Sequence, residues 1–550
     1  MLRELVRARL AEALDRLGVT GVEPEVSVPE RTEHGDFSSN IAFALKSRLG
    51  CPPHQLAERI LAHLDQGPFS KAEVAGAGFI NLFLKPEEIR RALQAILAAG
   101  EHFGESGLGR GQRVQVEYGS ANPTGPLHLG FGRNVVLGDA IANLLAANGY
   151  TVEREYYVND TGSQVEKFAA SLYYFYVQAL GREPPFPFPE EGYRGEYVRE
   201  WARELAAAEG ERLLRLPQER ALEETKRLGL ERVLRTVRAD LEKLGIDYDR
   251  WFFDSELFID RDGGPLFAQV MELLRAKGYL KDEAGAVWFK ATALGAEKDE
   301  VLIRSTGRPG YFASDVAYHY NKFVERGFDR VIDVWGADHQ GHVPRMKAMM
   351  RAFGLDPERL SILIYQLVTL KRGGEEVRLS KRSGEFVTLR ELLDEVGPDA
   401  VRYFLLSRSP DAHLEFDLEL AKEQSKENPV FYIQYAHTRI AGIFRELRGK
   451  PPRWAEVDLE PLQQPEELEL IKHLDEFPEV VRDAALHFAP HLLANYAYGL
   501  AGLFHIFYDR YRVLDEAPPL ARARLALCRA TQLVLRKALG LMGVSAPERM

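Results

Sequence analysis

Glu117-Tyr118-Gly119-Ser120-Ala121-Asn122-Pro123-Thr124-Gly125-Pro126-Leu127-His128-Leu129-Gly130-Phe131-Gly132-Arg133-Asn134 lies between a strand pattern that begins at Val114 and a helical pattern from about Arg133. A second strand pattern follows at residues 152–158. Strand, loop, helix and strand in that order make a βαβ unit and predict a parallel sheet. The loop suits a polyphosphate. Its glycines let the backbone approach closely, the helix N-terminus offers unpaired N–H groups and partial positive charge, and His128 brings an imidazole donor. The plain alternative is a structural turn capping a buried helix.

Upstream, residues 1–107 carry two helical patterns, a strand-like stretch at 74–84 and a further helix, which reads as a small α+β domain. A loop with four glycines between Gly104 and Gly111 separates it from the α/β core, residues 108–370. Within the core, residues from about 165 to 245 form long charged helical patterns broken by the proline-rich run 183–189, and are expected to be inserted. Strand patterns resume at 286–289, 301–303, 331–335 and 362–365 and are expected to complete the sheet. Residues 371–427 form a connecting helical region, and 428–550 read as an all-helical end domain around a linker at 451–465.

At 550 residues the chain is too long for one core. With 45% hydrophobic and 28% charged residues and no long uncharged run, no membrane span is expected. The first helix is Arg-rich, but Glu4, Glu12 and Asp15 argue against an import peptide. Cys51 and Cys528 have no spacing for zinc or a disulfide framework, so the cytoplasm is the expected compartment. A net charge of −11 does not suggest a nucleic-acid partner, although basic groups can gather on one face, as in residues 371–390.

Residues 123–130, Pro-Thr-Gly-Pro-Leu-His-Leu-Gly, resemble the first signature of class I aminoacyl-tRNA synthetases. Ser120-Ala121-Asn122-Pro123 and Tyr156-Tyr157-Val158-Asn159-Asp160-Thr161-Gly162 resemble the arginyl-tRNA synthetases in particular. The resemblance implies a multidomain α/β fold: a Rossmann-like catalytic core with a helical insertion, an N-terminal domain that binds the tRNA D-loop and a helical anticodon-binding domain. It places ATP against Asn122, Pro123, Thr124, Gly125, His128 and Gly130. The next signature position, often histidine, is Phe131, which cannot hydrogen-bond; Asn134 is the candidate to replace that contact. Arg378-Leu379-Ser380-Lys381-Arg382-Ser383-Gly384 resembles the second signature, a loop that closes on pyrophosphate with Ser380 and Lys381. His128 and Lys381 are the implied catalytic residues. Trp335-Gly336-Ala337-Asp338-His339-Gln340-Gly341-His342 resembles a segment beside ATP and the amino acid, with Gly336 and Asp338 toward ATP and His339 toward the amino acid. His339 and His342 have a spacing open to a metal but no third ligand, so no protein-bound metal is expected; ATP with Mg²⁺ is the implied cofactor.

Arginine is a planar cation with five donors and needs carboxylates that accept from its fork. By resemblance Asp315 and Asp254 take the guanidinium, Tyr311 stacks on it, and Glu117, Ser120 and Asn122 hold the α-amino and carboxylate end. Asp315 has a second reading, as the cap of a helix starting at Val316. In the outer domains Phe79 and Asn81 match D-loop contacts, with Phe79 equally suited to a core. Tyr432, Gln434, Tyr435 and Arg439 match the anticodon-binding region, while the aromatic stripe from Tyr496 to Tyr511 has the spacing of a core.

The expected activity is ATP-dependent ligation of L-arginine to tRNA(Arg) through an arginyl-adenylate, by a monomer. Two rivals stand beside it. One is an enzyme of the same superfamily for another amino acid, such as cysteine. The other is a noncatalytic tRNA-binding paralogue, which Phe131 would favour.

Overall fold

The structure, a computed structural model, describes residues 1–377, 387–447 and 450–550, with the side chain of Tyr311 excepted. The core is a five-stranded parallel sheet of β1 (Arg113–Glu117), β2 (Thr151–Val158), β3 (Arg250–Phe253), β4 (Arg330–Gly336) and β5 (Leu360–Tyr365), in the order β5-β4-β1-β2-β3. The order reverses at β1. In such sheets ligands bind outside the carboxyl ends of the strands at that reversal, which is where the loop after Glu117 lies.

Helix α1 (Leu129–Ala147) packs on the sheet with almost every side chain buried. It begins at Leu129, four residues earlier than its pattern suggests, because His128 caps it: Nδ1 accepts from the Gly130 N–H at 3.1 Å. Gly138 lets the helix lie directly on Tyr118, whose ring fills the space a Cβ would occupy.

Three other sequence expectations are corrected. The stretch at 74–84 is two strands of a hairpin, Phe69–Ala75 and Phe79–Leu84, turned by Gly76 at φ +55° and Gly78 at φ +137°. Strands Ala286–Phe289 and Glu300–Ile303 do not extend the core sheet; with Leu280–Glu283 they form a separate antiparallel sheet. Alternation reports a strand but not its neighbours, and short connections favour pairing within the segment. The fifth core strand is instead Arg250–Phe253, which pairs with β2 and whose Arg-Trp-Phe-Phe sequence shows no alternation.

Around this core, Ser163–Ala179, Glu196–Glu209 and Gln218–Lys243 form the helical insertion. The N-terminal region is a small antiparallel sheet flanked by helices, and its helix Pro86–Ala99 packs against Pro465–Leu486 of the C-terminal helical domain. Arg402 ties three regions together while fully buried: it donates to the carbonyls of Leu244 at 2.9 Å and Met542 at 2.8 Å, and pairs with Asp139 of α1. Among the described residues no helix is long and apolar enough to cross a membrane.

Candidate active site and outer-domain surfaces

The loop after β1 is held in a sharp, left-handed course. Gly119 has φ +81° and Ser120 φ +47°, the latter uncommon for a residue with a Cβ. Ser120 is fixed from both sides: its Oγ donates to Glu117 Oε1 at 3.0 Å and accepts from the Tyr157 N–H at 3.1 Å. The Ala121 N–H donates to the Tyr156 hydroxyl at 3.1 Å. Asn134, the expected replacement for an ATP contact at position 131, has its amide committed elsewhere. It accepts from the Gly119 N–H at 2.5 Å and donates to the Val334 carbonyl at 2.8 Å, joining the ends of β1 and β4.

His128 stands at the mouth of the helix. With Nδ1 accepting, the neutral ring carries its proton on Nε2. Phe131 packs against the imidazole, ring centroids 4.7 Å apart. An aromatic at this position thus braces the histidine that a polar residue would accompany. Asn122, Thr124, Gly125, His128 and Phe131 line a cavity of about 610 Å³ whose opposite wall is the insertion segment from Glu190 to Tyr197. The Tyr197 hydroxyl donates to the Thr124 carbonyl at 2.9 Å and closes that wall against the signature loop. Pro123 is buried, and Gly130 lies behind His128 in the first turn.

The amino-acid candidates converge from β1, β2, β3 and helix α2 (Tyr311–Tyr320). Burial above all, then Asp254 through its charge and hydrogen bond, and more weakly Asp315 and Glu117, push the Tyr157 phenol well above the usual tyrosine range. Asp254 is 2% exposed and accepts from the Tyr157 and Thr161 hydroxyls, so both its oxygens are engaged. Asp315 lies within α2, which starts at Tyr311 after Gly310; the alternative of a cap before Val316 is therefore excluded. Its carboxylate has no hydrogen-bond partner among the described residues. Burial raises its pKa, and the nearby charges of His319 and Arg345 offset only part of that. The backbone of Tyr311 opens the same helix.

Behind Glu117 is a network that its own motif does not announce. Lys322 is fully buried and donates to Glu117 Oε2 at 2.5 Å and to Asp333 Oδ1 at 2.9 Å, with its ammonium 4.2 Å from the centre of the Tyr318 ring. His319 meets the other oxygen of Asp333 at 2.8 Å through Nε2 and the Asp315 carbonyl at 2.8 Å through Nδ1. Burial would push Asp333 up, but Lys322 and His319 overcome it and hold the carboxyl at about 2. The spacing of Asp315, His319 and Lys322 was the available signal, one helical face with polar groups at every turn.

Gly336 ends β4, with Asp338 and His339 exposed beyond it and 3.4 Å apart. Ser380 and Lys381, with the rest of the expected loop from Arg378 to Gly384, lie outside the described residues.

On the outer domains, Phe79 is 47% exposed and packs on Phe43, also at the surface, with centroids 4.9 Å apart. Asn81 is buried and accepts from the Ser38 hydroxyl at 3.0 Å. On helix Pro429–Glu446, Tyr432, Tyr435 and Arg439 share a face: the Arg439 guanidinium lies 4.6 Å from the Tyr435 ring and 5.0 Å from that of Tyr508. Gln434 points the other way, donating to Asp399 at 2.8 Å and to the Ser545 carbonyl at 3.0 Å. Tyr496, Phe504 and Phe507 are buried, as a core stripe would be.

A doubly wound parallel sheet with a histidine-capped signature loop at its point of reversal defines a class I aminoacyl-tRNA synthetase core; residues 92–407 match the family model "tRNA synthetases class I (R), catalytic domain". Residues 2–84 match the arginyl tRNA synthetase N terminal domain and residues 433–550 the DALR anticodon binding domain. The chain is 46% identical to an arginine–tRNA ligase of Carboxydothermus hydrogenoformans, covering 100% of this chain and 97% of that one. It is 49% identical to that of Desulforudis audaxviator, over 96% and 94% of the two chains. Among solved structures it is similar to Thermus thermophilus arginyl-tRNA synthetase, at 25% identity and a TM-score of 0.77 with both chains covered in full. The chain belongs to the arginyl-tRNA synthetase family.

Proposed function

We propose that the chain activates L-arginine with ATP and transfers it to the 3′-terminal adenosine of tRNA(Arg), releasing AMP and pyrophosphate. The observation that carries this reading is the run of hydrogen bonds from Glu117 through Ser120 to Tyr157 and on to Asp254, one loop away from the cavity lined by His128. The buried Asp315 carboxylate suits the guanidinium of arginine, and an amino acid with a neutral side chain would leave that carboxylate unpaired.

In the first step the arginine carboxylate attacks the α-phosphate of ATP in line. Asn122, Thr124, Gly125 and Gly130 bring backbone close to the nucleotide, and His128 Nε2–H donates to a phosphate oxygen with the dipole of α1 behind it. Gly336 and Asp338 border the nucleotide from the end of β4, and Ser380 and Lys381 supply hydroxyl and cation on the pyrophosphate side. ATP enters as its magnesium complex. Glu117 and Ser120 hold the α-ammonium end, while Asp315 receives the guanidinium with Tyr311 stacked against it and His339 at the rim. In the second step the 2′-hydroxyl of the terminal adenosine attacks the adenylate carbonyl and AMP leaves. Catalysis is by positioning and charge stabilisation.

Phe79 presents a surface aromatic to the tRNA from the N-terminal domain, residues 1–107, and Tyr432, Tyr435 and Arg439 form a stacking face for unpaired anticodon bases on the helical domain, residues 428–550. Asn81 and Gln434 support these faces from beneath. The core runs over 108–370, with 371–427 as connector, and the chain acts as a cytoplasmic monomer.

Arginine-dependent ATP–pyrophosphate exchange, run with and without tRNA, tests the reading. Exchange that requires arginine, in either condition, is the expected result; tRNA binding with no exchange under any condition would instead support a noncatalytic paralogue.

A further inference from the structure

Lys322 has three donors and no route to solvent. It reaches Glu117 of β1 and Asp333 of β4 because the chain after α2 passes into a π-helical turn, Asn321–Glu325. Wider turns of this kind shift the helix face and recur at functional sites. A fully buried ammonium is costly unless every donor is matched, and here two carboxylates and the Tyr318 ring match it. Replacement by an apolar side chain would suit a purely structural position at least as well. The other end of the network is not structural: Glu117 Oε1 accepts from Ser120, whose left-handed backbone begins the loop that carries the substrate groups.

We propose that Lys322 is the positioning residue of the amino-acid pocket, holding Glu117 ionised and in one orientation for the substrate's α-ammonium. The inference rests on the role given to Glu117 above. Lys322 does not touch the substrate. It acts through Glu117, while Asp333, oriented by His319, keeps the ammonium in place.

The physical need is clear from the surroundings of Glu117. It is 9% exposed and faces Lys322 from the π turn, Asp333 from β4, Tyr318 and His319 from α2, Tyr157 from β2 and Ser120 from its own loop. Burial raises its carboxyl even with Lys322 present, and Asp333 adds to the rise. Without the ammonium, the neutral acid would be favoured further and its outward oxygen would lose negative charge.

The test is steady-state exchange with Lys322→Met, Glu117→Gln and the double variant, measured from about pH 6 to about pH 9, a range in which a raised carboxyl titrates. Lys322→Met is expected to raise the arginine KM on the order of tenfold near neutrality, with recovery as pH rises and with the ATP KM unchanged. Glu117→Gln should raise the arginine KM without that recovery, and adding Lys322→Met to it should add nothing. If Glu117→Gln leaves the arginine KM unchanged, the assignment of Glu117 fails. If Glu117→Gln raises it and Lys322→Met does not, or if the two effects add, the positioning role is overturned. Should Lys322→Met not fold, Lys322→Met with Asp333→Asn removes one buried charge of each sign, and the same pH-dependent arginine KM is then required of it.

Discussion

Thr388 and His128 face each other across an isolated antiparallel bridge, and beside it the Leu389 N–H donates to the Leu127 carbonyl at 2.8 Å. Thr388 also caps helix Leu389–Val396 in a capping box with Glu391. The helix that begins at Leu389 is therefore anchored on the residue proposed to meet the phosphates.

Replacing His128 with Asn separates its two roles. Asparagine is a good helix cap and can accept from the Gly130 N–H, but it cannot place a donor where Nε2 stands. Thermal stability should stay close to that of the parent while the rate of exchange falls by about 100-fold or more. Equal losses in His128→Asn and His128→Ala, with Asn fully stable, would assign the effect to the donor; an active, stable His128→Asn would remove His128 from the chemistry.

Asp315→Ala should cripple arginine use and spare tRNA binding. The carboxylate must be ionised to receive a guanidinium, and burial has raised its pKa, so arginine KM is expected to climb as pH falls toward that raised value and to level off above it. Asp315→Asn should raise KM at every pH and weaken this acid limb. Titration of KM against pH in parent and variant checks the sign, and an unaltered KM in Asp315→Ala would take the residue out of the pocket.

The exposed platform on the helical domain gives a separate handle. Tyr435 is 38% exposed with Arg439 over its ring, and Tyr435→Ala should weaken tRNA binding by about 1–3 kcal/mol while leaving ATP binding intact. Gln434→Ala, on the buried side, should instead lower stability through Asp399 and Ser545. Direct tRNA titration beside thermal melts distinguishes the two faces of this helix.

Gly543 takes φ +68°, and a Cβ there would overlap the Arg402 guanidinium. Gly543→Ala should destabilise the protein by about 2–4 kcal/mol, read by denaturant or thermal unfolding. A neutral effect would mean that Arg402 can move without loss, contrary to its three buried partners.

The parallel sheet was legible because the loop at 117–134 has glycines, two prolines and a histidine where only a strand-to-helix turn uses them together. What that stretch could not show was the partner of Asn134: Val334 is 200 residues away, so an amide that looked available for ATP is a clamp between strands. Arg250–Phe253 escaped notice because Arg-Trp-Phe-Phe does not alternate and runs straight into a short helical turn at Asp254, whereas the strands at 286–303 were visible but carried no mark of the sheet they join. In the site, Glu117 and Asp315 came from resemblance, while Lys322 did not: its spacing puts it on the face of Asp315 and His319, but nothing local marks that face as packed against Glu117 and Asp333. Phe131 looked like a lost contact and proves to be a brace for His128.

Arg402 has a consequence for the order in which the molecule is built. Its partners are contributed by Asp139, Leu244 and Met542, so during synthesis on the ribosome the guanidinium waits for about 140 further residues before its last acceptor exists. The side chain is therefore fully satisfied only once the C-terminal helical domain has been made, and a chain cut short before Met542 would leave one buried guanidinium donor without its acceptor.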